Sequence, residues 1–426
     1  MNDPSKIKKI SALEILDSRG IPTLNVQVDL EGGAKASAQV PAGTSSGANE
    51  AFELRDGDKN RYGGMGVLKA VSNVNKEIFS KLKGLDASDQ KKIDQTLIDL
   101  DGTKNKSRLG ANAILGVSTA CARVSAIATG RPLYKYLREI FGLKLSGYKI
   151  PQAMFNLLNG GAHAESGMDV QEFMLVPRAN SFSESLRMAV ETFSALRRLL
   201  TLGQFATSVG LEGGFAPNLK NSKQAIEILI EATRQAGLPN QSVTIALDVA
   251  ATGLYDKKSN RYVFGREQKK FTREQLLDWY TELASKHPIT SIEDGLQEED
   301  FEGWQMMNSK LSGKIRIVGD DFTVTNSARL KKAIEMKALN SVIIKPNQIG
   351  TITETMDTIR LAQENKISIN ISHRSGETND PFIADLAVAV NAEFIKSGSV
   401  NRGERTAKYN RLLKIEKEIS DTNKTS

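Results

Sequence analysis

Three stretches in the C-terminal half share one pattern: "IVGDD" (residues 317–321), "SVIIKPNQIG" (341–350) and "ISINISHRSGET" (367–378). Each runs from a β-branched apolar string into polar or charged residues, and amphipathic helical stretches at 326–337 and 351–363 separate them. Strand and helix alternating at about 25 residues per unit is the rhythm of a parallel βα barrel, whose chemistry sits at the C-terminal ends of its strands. Asp320, Lys345 and His373 are therefore expected to face one pocket.

The same alternation extends backwards to residue 150, giving candidate strands at 153–158, 172–177, 243–247, 290–292, 315–318, 341–344, 368–371 and 394–395. Eight strands suit a closed barrel. Upstream the pattern differs. Strand-like pieces at 10–16, 23–30 and 34–40, the last two joined by "EGG" (31–33), read as an antiparallel meander. A long Gly- and Ser-rich loop follows at 41–66, then helical patterns at 67–83, 88–100, 111–129 and 132–141. The expected fold class is α/β, a TIM-type βα barrel with an N-terminal α+β domain. The expected domains are 1–142, an α+β cap, and 143–426, the catalytic barrel, with a polar tail frayed from residue 420.

A chain of 426 residues has room for a barrel and a smaller unit. Its 40% hydrophobic and 25% charged residues are ordinary for a soluble globular protein. The net charge of +7 is spread along the chain without clusters, which argues against nucleic acid as a partner and favours a small anionic substrate. The single cysteine, Cys121, excludes an intramolecular disulfide and suits a small core residue better than a nucleophile. The N-terminus lacks the apolar stretch of a signal peptide, and no run is expected to span a membrane. The expectation is a cytoplasmic protein, with a minor surface or secreted fraction as the one exception.

The residues just after the strands carry the chemistry. Asp248 follows "VTIAL", Glu293 follows "ITSI" and Asp320 follows "IRIVG". Lys345 follows "SVII", His373 and Arg374 follow "ISINIS", and Lys396 follows "EFI". Three carboxylates on one rim suit a hard cation such as Mg²⁺. The bland reading is that each caps the next helix. Beside a divalent ion the ammonium form of Lys345 is expected to be disfavoured, as a lysine base requires; the bland reading is an ion-pair partner. Arg374 with Ser375 can hold a planar anion by a fork plus a hydroxyl, and Lys396 adds a point charge, although either cation could be a solvated rim residue. "NGGAHAESGMDVQEFMLVP" (159–177) sets His163, Gln171 and Glu172 around a Gly-rich turn, and "GLEGGFAPN" (210–218) offers Glu212 beside two glycines.

With "DSRGIPT" (17–23), "NGGAHA", "QEFM", "SIEDG", "VGDD", "KPNQIG", "SHRSGET", "FIADLAV" and "AKYNRLLKIE" (407–416) in order along nearly its whole length, the chain resembles the enolase family, the phosphopyruvate hydratases. The resemblance implies a barrel whose second strand runs antiparallel to the rest. It implies reversible Mg²⁺-dependent dehydration of 2-phosphoglycerate to phosphoenolpyruvate in glycolysis and gluconeogenesis, and a homodimer or larger homo-oligomer. Residue by residue, it implies that Asp248, Glu293 and Asp320 hold the tight Mg²⁺ and that Ser45 helps hold a second. Lys345 is then the base at C2, Glu212 the acid at the C3 hydroxyl with Glu172 in support, and His163, Gln171, His373, Arg374, Ser375 and Lys396 contact substrate. A lysine base with Mg²⁺ offsetting the charge that develops is the pattern known for enolase-superfamily sites and comes with the resemblance.

Two positions depart from the family. Leu211 stands where Asp precedes the acidic residue, and Ala42 replaces a serine in "PAGTSSG" (41–47). The alternative these departures suggest is an impaired paralogue acting as a binding protein at a surface or in an RNA-processing assembly. A further alternative is another superfamily lyase working on a different acid.

Overall fold

The computed structural model describes residues 3–43, 49–164, 167–239 and 241–425. The N-terminal meander forms as expected: β1 (Ile7–Leu16), β2 (Pro22–Leu30) and β3 (Lys35–Gln39) pair antiparallel in that order. Alternation in β2 buries Leu24, Val26, Val28 and Leu30 on one face, as the two-residue period of a strand requires. The helix Ala111–Ala128 covers that face. Its Gly116 permits the close approach, since a Cβ there would meet Val26 Cγ2 at 2.5 Å.

That helix corrects one expectation. By length and composition it could cross a membrane, but most of it is buried against the meander and neighbouring helices, so its apolar character serves the core. Cys121 lies within it, fully buried, and burial pushes its thiol pKa up.

Eight strands close the barrel in the order β4 (Gln152–Asn159), β5 (Glu172–Pro177), β6 (Val243–Asp248), β10 (Ile289–Glu293), β11 (Arg316–Gly319), β12 (Ser341–Ile344), β13 (Ser368–Ser372) and β14 (Phe394–Lys396). Only β5 runs antiparallel to both neighbours. Among its described residues the β4–β5 link contains one 3₁₀ turn, Gly161–His163, and no crossover helix, which suits a strand returned antiparallel beside its neighbour. Between β6 and β10 sits a small antiparallel sheet that the sequence pattern does not announce: β7 (Tyr255–Asp256), β8 (Arg261–Phe264) and β9 (Lys269–Phe271). The C-terminal helix Gly403–Thr425 runs past the point where fraying was expected.

The barrel register levels the acids. Glu172 pairs with Asp248 across β5 and β6, and Asp248 pairs with Glu293 across β6 and β10. Register partners on adjacent strands share a face. Three carboxylates therefore stand in one row at the C-terminal rim of the barrel's parallel strands.

Candidate active site

Among the residues singled out from sequence, His163, Gln171, Glu172, Glu212, Asp248, Asp320, Lys345, His373, Arg374, Ser375 and Lys396 line one cleft. Glu293 joins it through Lys396, whose Nζ lies 2.8 Å from Asp248 Oδ2, 2.9 Å from Glu293 Oε1 and 3.2 Å from Glu172 Oε1. Ser45 falls outside the described residues.

The 3₁₀ turn Ala251–Leu254 after Asp248 has Ala250 at its N-cap, and the next α-helices after Asp248, Glu293 and Asp320 are capped by Thr272, Asp300 and Asn326, so none of the three acids occupies an N-cap. Arg374 and Lys396 are 5% and 2% exposed, which excludes solvated rim residues. Arg374 is not simply open to an external anion, however. Glu50, on the loop 41–66, takes both of its terminal nitrogens at 3.0 and 3.2 Å, and Asn347 Oδ1 accepts from Nη1 at 3.0 Å. The fork expected to clasp a ligand holds a carboxylate of the chain itself.

From sequence, the ammonium of Lys345 is expected to be disfavoured beside a divalent ion. Burial does act in that direction, but Asp320 Oδ2 contacts Nζ and raises the lysine pKa above its ordinary value. In return, and against the cost of burial, Lys345 holds Asp320 below the usual carboxylate range. Opposite charges in contact inside the protein outweigh desolvation here.

The other acids are crowded. Burial, then the Asp248 charge, pushes Glu293 well above the usual range; burial, then Asp321 and Asp320, does the same to Asp294. Asp321 rises to about 7 through burial and its neighbour Asp320. Carboxylates that raise one another's pKa gain from a shared cation. The donors are all oxygens, and ligand atoms of Asp294, Asp320 and Asp321 lie within 4.8 Å of one another. Hard-cation chemistry fits this set, which can hold a divalent metal ion. Asp320 belongs to it directly, while Asp248 and Glu293 converge on the Lys396 ammonium.

Across the cleft, burial and the Glu212 charge lift Glu172 to about 7. Glu212 is equally buried, yet His373, His163 and Arg405 hold its carboxyl well below the usual range. His163 Nδ1 lies 3.3 Å from Glu172 Oε1 and 3.6 Å from Glu212 Oε1, and despite burial these carboxylates raise its pKa. Glu172 therefore holds a proton more readily than Glu212 does.

Several functional neighbours were not found by reading strand ends. Asn156 Nδ2 donates to Glu212 Oε2 at 3.1 Å, and Gln348 Nε2 donates to Asp320 Oδ1 at 2.9 Å while Gln348 Oε1 accepts from Thr325 Oγ1 at 2.8 Å. Asp294 accepts from the backbone N–H groups of Asp320 and Asp321 at 2.9 and 2.8 Å. Asp294 and Asp321 stand inside the motifs "SIEDG" and "VGDD", so a reading extended by one residue would have reached them. The turns beyond β6, β10 and β11 are strained: Ala250, Asp294, Val324 and Thr325 all adopt φ between 44° and 54°. Left-handed backbone at β-branched residues persists only where surroundings enforce it, and such positions gather at functional sites.

The departures from the family pattern change meaning in three dimensions. Leu211 acts through its backbone, its carbonyl accepting from Arg405 at 3.1 Å and its N–H reaching His163 O at 3.4 Å. The Glu212 carbonyl in turn accepts from Ser399 N at 2.9 Å. Ala42, fully buried, exchanges backbone hydrogen bonds with Gly376 at 2.8 and 2.9 Å. Neither position uses a polar side chain to place the site.

A capped βα barrel with acids, lysines and an arginine gathered at its C-terminal rim defines a polar, cation-binding barrel site. The family model for the enolase C-terminal TIM barrel domain matches residues 147–426, and that for the enolase N-terminal domain matches residues 7–137. The chain belongs to the enolase family.

Proposed function

We propose that the chain is a lyase that interconverts 2-phosphoglycerate and phosphoenolpyruvate with Mg²⁺. The observation that carries this reading is the placement of Lys345 against the acid pair. In the ring of eight strands, β12 and β5 stand four places apart, so Lys345 and Glu172 project from opposite sides of one cleft. Removal of a proton from one carbon and of hydroxide from its neighbour needs a base and an acid on opposed faces of the substrate.

A C–H beside a carboxylate is very weakly acidic, so the charge developing on that carboxylate must be offset. When bound by Asp248, Glu293 and Asp320, a divalent cation would supply that offset and draw the Asp320 charge away from Lys345. Lys345, as the neutral amine after its own ammonium proton has passed to solvent, accepts the C2 proton. Lys396 offers its ammonium to the substrate carboxylate, and Arg374 and Ser375 border the phosphate. Glu212, receiving a proton from Glu172 or His163, protonates the departing C3 hydroxyl. Glu50, bound to Arg374, borders the cleft and helps to exclude water. Cytoplasmic glycolysis is the setting we propose, with the chain assembled as a homo-oligomer. The binding-paralogue alternative drew on Leu211, whose backbone role leaves it without a specific observation in its favour.

Isotope exchange tests the assignment. In D₂O with Mg²⁺, the C2 proton of 2-phosphoglycerate should exchange with solvent, followed by NMR, and Lys345→Ala should stop it. Exchange that persists undiminished in that variant would overturn the role of Lys345.

A further inference from the structure

Among the described residues Arg405 is the largest fully buried cationic side chain, and its guanidinium faces backbone carbonyls and a histidine ring instead of a close carboxylate. It comes from the first turns of the C-terminal helix Gly403–Thr425. Nη1 lies 2.7 Å from His373 Nδ1 and donates to Arg374 O at 2.7 Å, while Nη2 donates to Ser375 O at 2.6 Å and to Leu211 O at 3.1 Å. Its nearest carboxylate oxygen, on Glu404, is 3.6 Å from Nε. One side chain thus ties the loop after β13 to the loop that carries Glu212.

A guanidinium donates and never accepts. At 2.7 Å from Nη1, His373 Nδ1 must therefore present a lone pair, and a neutral imidazole with a lone pair on Nδ1 carries its proton on Nε2. Nε2 is the nitrogen 3.3 Å from Glu212 Oε2. We propose that Arg405 is a positioning residue that fixes His373 as the Nε2–H tautomer and sets it, together with the Leu211 carbonyl, so that a neutral donor always faces Glu212.

The alternative tautomer would put Nδ1–H against the guanidinium and a lone pair against a carboxylate, both repulsive. A doubly protonated ring would meet the guanidinium with like charge. The groups facing the ring act in both directions: Glu212 on the neighbouring loop and Glu377 on its own loop favour the cation, while burial and Arg405 oppose it. Burial leads, and the His373 pKa falls to about 4. The ring therefore stays a neutral donor across the range in which Glu172 titrates. This inference takes its catalytic meaning from the proposed lyase reading, but the tautomer itself exists without substrate.

The test uses the full-length chain with ¹⁵N-labelled histidine and no substrate. The chain has three histidines, so His163→Asn and His287→Asn assign the spectrum. Two-bond ¹H–¹⁵N correlation at neutral pH is expected to show Nδ1 of His373 as the unprotonated nitrogen and Nε2 as the protonated one. In Arg405→Met, the His373 titration midpoint should rise by about one pH unit or more, a tenfold gain in proton affinity. Arg405→Lys, which retains a donor and a charge, should keep the midpoint low. A merely structural arginine would leave the midpoint in place in a folded Met variant. Nδ1 found protonated in the unmodified chain overturns the proposal, even if the Met variant does not fold. If the tautomer is as stated but 2-phosphoglycerate is not converted, the lyase reading falls and the tautomer assignment stands.

Discussion

Lys345 and Asp320 form a largely buried ion pair at the ends of two barrel strands, β12 and β11, with Gln348 holding the second Asp320 oxygen at 2.9 Å. The pair keeps the lysine charged until something else claims the carboxylate. That makes the site a lock in which the base is disarmed by a candidate metal ligand.

Removing the lysine amine leaves the acids in place. Lys345→Ala should lower turnover of 2-phosphoglycerate by at least about 10³-fold, while far-UV circular dichroism and Mg²⁺ binding by calorimetry persist. Loss of fold in the variant would show that the ion pair is structural.

Gln348 fixes which Asp320 oxygen faces the cleft. Outer partners of metal ligands typically tune affinity by about 10–100-fold, and Gln348→Leu should weaken Mg²⁺ by that order in a calorimetric titration without substrate. Unchanged affinity would show that Asp320 orients itself.

Burial and the Glu212 charge raise Glu172 from 4.5 to about 7. A carboxyl with a higher pKa folded than unfolded stabilises fully below its unfolded value, and that contribution is lost as pH rises through the folded value. In chelator, the melting temperature should therefore fall between pH 4.5 and about 7, and Glu172→Gln should flatten part of the fall. Asp321, also raised to about 7, keeps a residual slope. Identical pH profiles for both proteins in thermal melts would contradict the assignment.

Leu211 contributes backbone groups, not its side chain, to the placement of Glu212. Leu211→Asp should raise turnover or leave it within about threefold, the scale of a substitution away from packing and hydrogen-bond networks. A large loss in steady-state assays would show that the chain has adapted to leucine.

Much of this site was legible in the sequence. Apolar strings ending in Asp248, Glu293, Asp320 and Lys345 gave both the barrel and the rim, because a parallel strand buried on two faces reads as a continuous apolar run. The sheet β7–β9 was not legible: its strands are two to four residues long and mix lysine with aromatics, so no period emerges. Arg405 was hidden for a different reason. It lies in a helix whose sequence looks like ordinary charged surface, and only the fold turns that residue inward. The Asp320 partner of Lys345 was not legible because residue types at strand ends say nothing of which carboxylate touches the amine.

The central claim is that acids of successive barrel units and Lys345 act together on 2-phosphoglycerate. Its most direct test is the ultraviolet absorbance of phosphoenolpyruvate after 2-phosphoglycerate is added to the full chain, with and without Mg²⁺. The account predicts a rise that requires Mg²⁺ and vanishes in Lys345→Ala. A folded, Mg²⁺-loaded chain that produces no rise would contradict it.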